Sequence, residues 1–248
     1  MKNKRRFSRL YAFHFLQFTV RCIFFLTAAV LYIRARIKGS DEPFGEEGGL
    51  PFFWGILWLV LFTEMIFRLM PTKEAGIGCQ KQFKHNFLPT DDTVPKPVTS
   101  RERIIFLGIV WIGGNLIIGA LYLTKIIDAG IMVLLSLAYG VGDLICLLFF
   151  CPFRDWFLKN RCCTDCAIYN WDFPMMFTPY IFLPHPYTWS LLGIALVILG
   201  IWEINRHIHP ERFAENTNAN LSCKMCKDKP CRHAKRLSRK NKKQKLIH

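Results

Sequence analysis

Eight of the ten cysteines in this 248-residue chain lie between or after its long apolar runs. Seven of them form two tight groups, Cys151/Cys162/Cys163/Cys166 and Cys223/Cys226/Cys231, and Cys79 stands in an earlier connecting stretch. The spacings are C-x10-C-C-x2-C and C-x2-C-x4-C. A C-x2-C step lets one turn aim two sulfurs at the same metal, and further ligands can arrive from a few residues away. Thiolates suit both zinc and iron–sulfur clusters, which are soft or borderline acceptors. Cys79, Cys151, Cys162, Cys163, Cys166, Cys223, Cys226 and Cys231 are therefore the expected metal ligands, for an iron–sulfur cluster or for zinc. His233 would complete the tail group as C-x2-C-x4-C-x-H, which favours zinc, whereas the adjacent Cys162 and Cys163 lean towards a cluster. Neither group matches the ferredoxin run C-x2-C-x2-C-x3-C-P. Free thiols or lipid-attachment sites are the plainer alternative. Cys22 and Cys146, inside apolar runs, read as ordinary small apolar residues.

A second set of reactive types sits within the apolar runs. His14, Gln17 and Arg21 fall on one helical face. Glu64 and Arg68 have the i, i+4 spacing of an intrahelical ion pair. Asn115 and Asp143 follow, with Gly113, Gly114, Gly119, Gly140 and Gly142, small residues that let membrane helices approach closely. Charges at membrane depth are costly and face the bundle interior. Arg21, Glu64 and Asp143 are thus the candidate cofactor-binding residues, shaping a polar pocket for a quinone headgroup or a proton relay. A set of interhelical salt bridges, Arg21 with Asp143 among them, is the alternative.

Membrane helices are the elements expected to carry these residues. Over half the residues are hydrophobic and mean hydropathy is +0.20. The apolar residues gather in long runs without the alternation of a soluble domain. Five stretches approach the roughly 20 residues that span a bilayer: Tyr11–Ile33, Pro51–Met70, Ile104–Leu123, Ile131–Phe150 and Thr188–Ile204. The first is too long for a signal-peptide core and lacks a cleavage site, so no cleavable signal is expected. The net charge of +15 sits at the two ends, +5 before the first span and +10 from Arg206 onward. Basic residues stay on the cytoplasmic side, so both ends are expected there, which requires an even number of crossings. Phe173–Tyr187 carries Pro174, Pro179, Pro184 and Pro186. About eleven residues of helix reach only about 16 Å. It is read as a sixth, irregular or re-entrant crossing, with five spans and opposite-facing ends as the alternative. The fold class expected is all-α, a polytopic transmembrane helix bundle with five clear spans plus one irregular segment. Its organisation is a basic N-terminus (1–10), a bundle (11–204) including the Cys-rich loop (151–172), and a basic Cys-containing tail (205–248).

The connecting segments carry further expectations. The loop 71–103, with Pro71, Pro89, Pro95 and Pro97, reads as extended over the cytoplasmic face. In the loop after the fourth span, Phe153, Trp156, Phe157 and Leu158 suit an interfacial helix, with Arg154, Asp155 and Lys159 towards water. Tyr169 and Trp171 suit the interfacial aromatic belt. The terminal run KRLSRKNKKQK suits anionic lipid headgroups. Nucleic acid is not an expected partner, since no base-reading motif accompanies the charge. A membrane or soluble redox protein is the further partner expected of an electron carrier.

The runs RCCTDCAIYNWD and HPERFAENTNANLSCKMCKDKPC resemble those of bacterial multi-pass membrane proteins with paired Cys-rich motifs. The resemblance covers mainly the second half of the chain, implies no activity and carries over no site. It agrees with reading the two Cys groups together, in a bacterial inner membrane. Three functions fit: an iron–sulfur electron-transfer component, a zinc-stabilised docking module, or a small transporter using the intramembrane Arg, Glu and Asp.

Overall fold

The computed structural model describes residues 9–39, 51–72, 76–96, 99–160, 162–222 and 225. The tail cysteines Cys223, Cys226 and Cys231, with His233, lie outside the described residues, as does the terminal basic run. The described chain is helical: α1 (Arg9–Ile37), α2 (Pro51–Leu69), α3 (Ile77–Gln80), α4 (Arg101–Leu123), α5 (Ala129–Leu148), α6 (Asp172–Phe177) and α7 (Pro186–Ile208). Four of these, α1, α4, α5 and α7, are long and apolar enough to cross a membrane. The expectation of five clear spans is thus met for four. The fifth run forms α2, the shortest of the long helices at 19 residues, and it carries Glu64 and Arg68.

Local chemistry sets the ends of these helices. Asp128 caps α5 by accepting from the Ile131 N–H at 2.9 Å, and its other oxygen accepts from the Tyr32 hydroxyl at 2.9 Å. One acid therefore starts α5 and ties it to α1. His185 and Thr188 form a reciprocal cap on α7, where Pro186 occupies the first turn. Proline costs nothing there, because that N–H has no helical partner anyway.

The proline-rich segment is a broken helix rather than a loop. α6 runs into a 3-10 turn at Thr178–Phe182, and Phe173, Met176, Phe177 and Tyr180 are buried. Irregular backbone buried away from water must be satisfied by neighbours. Here the Ser136 hydroxyl donates to the Met176 carbonyl at 2.8 Å, and the Trp111 indole donates to the Thr178 hydroxyl at 3.1 Å. Gly119 and Gly140 make room, since a Cβ on either would meet the Phe182 ring or the Met176 thioether below 3 Å. Gly113, Gly114 and Gly142 face open space instead.

Contacts also fix the direction in which this segment runs. Trp171 packs on Gly108, Thr178 meets Trp111 and Phe182 meets Gly119, so the segment runs parallel to α4. α7 returns the other way, with Glu203 near its end accepting from the Trp171 indole at 2.8 Å. The connections 76–96 and 149–171 and the residues after α7 therefore gather at one end of the bundle. They are bound together there. The Arg212 guanidinium donates to the Gln82 carbonyl at 3.0 Å, the Ala219 N–H to the Leu88 carbonyl at 2.8 Å, and the Trp202 indole to the Ala167 carbonyl at 2.8 Å.

Several expectations for this end need correction. The loop after α2 is not merely extended. It forms α3 and a 3-10 turn at Lys84–Asn86, and it buries Gln80, Lys81 and Gln82. Phe153–Leu158 does form a short helix, wound in π fashion, with Leu158 fully buried and Trp156 exposed. Arg154 turns inward rather than to water. Tyr169 presses on Gly78, and Trp171 joins α4 to α7.

Candidate functional site

Arg21, Glu64 and Asp143 come together as one group. Arg21 is buried, and its Nη2 donates to Glu64 Oε2 at 2.7 Å. Its Nη1 donates to the Gly140 carbonyl at 2.9 Å and lies 3.8 Å from Asp143 Oδ2. His14 and Gln17 do share the Arg21 face and bond to each other at 3.0 Å. Asn115 is buried and donates back to the Trp111 carbonyl at 3.0 Å.

Glu64 and Arg68 do not pair with each other. The neighbouring segment supplies Arg68 with better partners, Asp172 Oδ2 at 2.5 Å and Asn170 Oδ1 at 2.7 Å. Phe173 lies between the two guanidiniums, its ring centroid 5.5 Å from Arg21 Cζ and 5.3 Å from Arg68 Cζ. An aromatic face attracts cations, and the attraction grows where water is excluded. Sequence spacing within α2 could not show this arrangement, because the partners arrive from a segment more than a hundred residues away.

Below this group, towards the cysteine-bearing end, opens a cavity of about 480 Å³. Its wall is mostly apolar and includes Trp111, Tyr139, Phe150 and Phe153, with Arg68, Asp143 and Asp172 at one side. Cys146, Cys151, Cys163 and Cys166 line it as well, with Met175 and Met176. Of the three expected cofactor-binding residues, only Asp143 reaches this cavity.

The cysteines differ in their surroundings. The nearby Cys146 draws the Cys151 thiol down to about 7 against the opposing effect of burial. The Arg154 N–H adds a contact at 3.4 Å. Burial pushes Cys163 up to about 12 and Cys166 up to about 11. The Arg154 guanidinium, paired with Asp155 at 2.7 Å, stands 3.8 Å from Cys163 Sγ. Cys162 is buried and accepts from the Thr164 hydroxyl at 3.3 Å, and the Cys79 thiol donates to the Gly76 carbonyl at 3.1 Å. Among the described residues, no three His, Cys, Asp or Glu side chains come together in a way that could hold a metal ion. The loop cysteines Cys151, Cys162, Cys163 and Cys166 are therefore not gathered about one centre, and Cys79 stays with its own turn.

Sequence reading also missed Lys81. It is fully buried, and its ammonium donates to the carbonyls of Thr164 at 2.8 Å and Cys166 at 2.9 Å. It lies 5.3 Å from the Trp202 ring centroid and 5.5 Å from that of Phe213. Burial lowers its pKa to about 8. One lysine thereby joins the loop after α2, the Cys-rich loop, α7 and the segment beyond it. The comparisons with known proteins give no relative: no family model, no curated protein and no solved structure matches this chain.

Proposed function

We propose that this chain is a multi-pass protein of the bacterial inner membrane whose cavity binds a ring-bearing ligand of the quinone class. In this reading α1, α2, α4, α5, the broken segment and α7 all cross, and both ends lie in the cytoplasm. One observation carries the ligand assignment. Glu64, Asp143 and Asp172 face Arg21 and Arg68, one acid more than the bases can match, and Asp143 is the member with 31% of its side chain exposed, on the cavity wall. Ionisable groups at membrane depth mark ligand or proton paths by default. An apolar cavity of this size with a few convergent polar groups suits a small ring. Asp143 would exchange a proton with the headgroup, and Trp111 and Tyr139 would pack against the ring.

The reading is tested by titrating a menaquinone analogue into the protein in nanodiscs and following tryptophan fluorescence. Saturable quenching is expected, largely lost in Trp111→Phe. Asp143→Leu should weaken binding about tenfold, which is about 1.4 kcal/mol. Absence of saturable quenching, or unchanged affinity in Asp143→Leu, would overturn the assignment.

The clasped face supports a second reading. The loop after α2, the Cys-rich loop and the chain up to Ser222 are bound together around Lys81, one residue short of Cys223. A zinc or iron–sulfur centre drawing on Cys223, Cys226 and Cys231 would form there and fix a docking surface, or pass electrons to a redox partner. Metal and acid-labile sulfide analysis of protein purified without oxygen tests it, with the triple Cys→Ser tail variant expected to lose the metal. A wild-type protein holding neither zinc nor iron would rule it out.

A further inference from the structure

We propose that a second cavity, between the start of α4 and the end of α7, binds the phosphate headgroup of an anionic phospholipid through Arg101, Arg206 and His207. This cavity holds about 610 Å³ and is walled by those three residues, with Ile104, Pro95 and Phe213 on its apolar side. Two acids share the wall, and both are already engaged. Glu203 accepts from the Trp171 indole at Oε1, 2.8 Å, and from Arg206 Nε at Oε2, 3.0 Å, with Arg206 Nη2 on the same oxygen. Asp165 is buried in the turn whose Thr164 and Cys166 carbonyls hold Lys81, and its charge supports that ammonium. The unspent capacity is therefore basic. Among the described residues Arg101 has no ion-pair partner, and Arg206 keeps Nη1 without a hydrogen bond. Trp171 fixes Glu203, and Glu203 fixes Arg206, so that guanidinium is oriented before any ligand arrives. Guanidiniums match the oxygens of a phosphate in pairs.

Position selects a lipid over a soluble phosphate. Arg101 opens α4 and His207 lies in the last turn of α7, and both helices are long and apolar enough to cross a membrane. The cavity thus stands at the level of the headgroups. One turn deeper the exposed side chains become aliphatic. Ile105 lies four residues past Arg101 and is 51% exposed, and Ile204 lies three before His207 and is 58% exposed. A phosphate held at the cavity would lay its acyl chains along these two faces. The inference goes beyond the quinone reading. It uses a different cavity, needs only that α4 and α7 cross, and would stand if no ring bound.

The test is native mass spectrometry of the full chain in mild detergent, titrated with phosphatidylglycerol or phosphatidylcholine after a wash in about 0.5 M salt, where attraction to exposed basic runs is screened. One phosphatidylglycerol per chain is expected to remain, and no phosphatidylcholine. Arg101→Gln and Arg206→Gln should each weaken retention about tenfold, the loss of one charge-assisted contact. Lys84→Gln removes the same charge from an exposed site at the same end of the bundle and should change nothing. Independently of any variant, phosphatidylglycerol carrying a photoreactive headgroup should cross-link the wild-type protein at the peptides bearing Arg101 or Arg206. Cross-links confined to other peptides would overturn the site. So would equal retention of the two lipids, or retention that both Arg variants leave unchanged. Displacement of the lipid by an equal concentration of glycerol 3-phosphate would overturn the lipid assignment in favour of a soluble phosphate.

Discussion

Replacing Asp172 by Asn removes one charge and almost no volume, and it probes the contact that holds the broken segment to α2. Arg68 Nη2 meets Asp172 Oδ2 at 2.5 Å, with the side chains 20% and 5% exposed. Breaking a buried pair from one side costs roughly 3–5 kcal/mol, because the remaining charge is stranded. Arg68 keeps Asn170 at 2.7 Å and the rings of Phe173 and Tyr169 at 5.3 and 5.7 Å. These place the expected loss at the lower end, about 3 kcal/mol, or roughly a hundredfold in the folding equilibrium. The assay is unfolding in mixed micelles of mild detergent and dodecyl sulfate, followed by tryptophan fluorescence. Arg68→Leu and the double variant complete a cycle. Asp172→Asn should cost little once Arg68 is gone, giving a coupling of at least about 1.5 kcal/mol. A single-variant loss below about 1 kcal/mol with additive effects would refute the claim that this pair anchors the segment.

Other expectations follow from the same contacts. A Cβ at Gly119 would stand 2.0 Å from the Phe182 ring, so Gly119→Val should cost about 1–3 kcal/mol. Phe182→Ala in the same chain should recover part of that loss in the same assay, and failure to recover it would place the fault elsewhere. Glu64→Gln should destabilise by about 2 kcal/mol, less than Asp172→Asn, because Arg21 retains Asp143 and the Gly140 carbonyl. Lys81 gives a pH dependence of defined sign. Its folded pKa of about 8 lies below the ordinary 10.5, so between these values the unfolded chain holds the extra proton. Stability should therefore rise with pH across that window, by about 3 kcal/mol at most, and be flat below it. The rise is read as the difference between wild type and Lys81→Met, and a difference that is flat or falls with pH would contradict the burial of an ammonium there.

The helices were legible in the sequence because long apolar runs admit little else. The proline-rich segment was legible as an irregular element through its four prolines and its apolar, aromatic composition. Its role as the centre of the bundle was not, since burial of Phe173, Phe177 and Tyr180 depends on α4, α5 and α7 leaving room at Gly119 and Gly140. Arg21, Glu64 and Asp143 were identifiable because charge in an apolar run needs a partner. Which partner each took was hidden, and the expected Glu64–Arg68 pair gave way to contacts from other segments. Lys81 lay in a polar, proline-containing loop where lysine is ordinarily solvated, so nothing in its neighbourhood signalled full burial.

In the proposed topology the broken segment carries the chain across the membrane, so that the cysteine-bearing loops and the tail share the cytoplasmic face. Single cysteines at Asp92, Lys125, Pro184 and Met225, reacted with a membrane-impermeant maleimide before and after lysis of cells with a permeabilised outer membrane, test it directly. Lys125→Cys and Pro184→Cys should react in intact cells, and Asp92→Cys and Met225→Cys only after lysis. Labelling of Met225→Cys in intact cells while Asp92→Cys stays protected would mean an odd number of crossings. It would place the two cysteine groups on opposite sides and contradict the proposed topology.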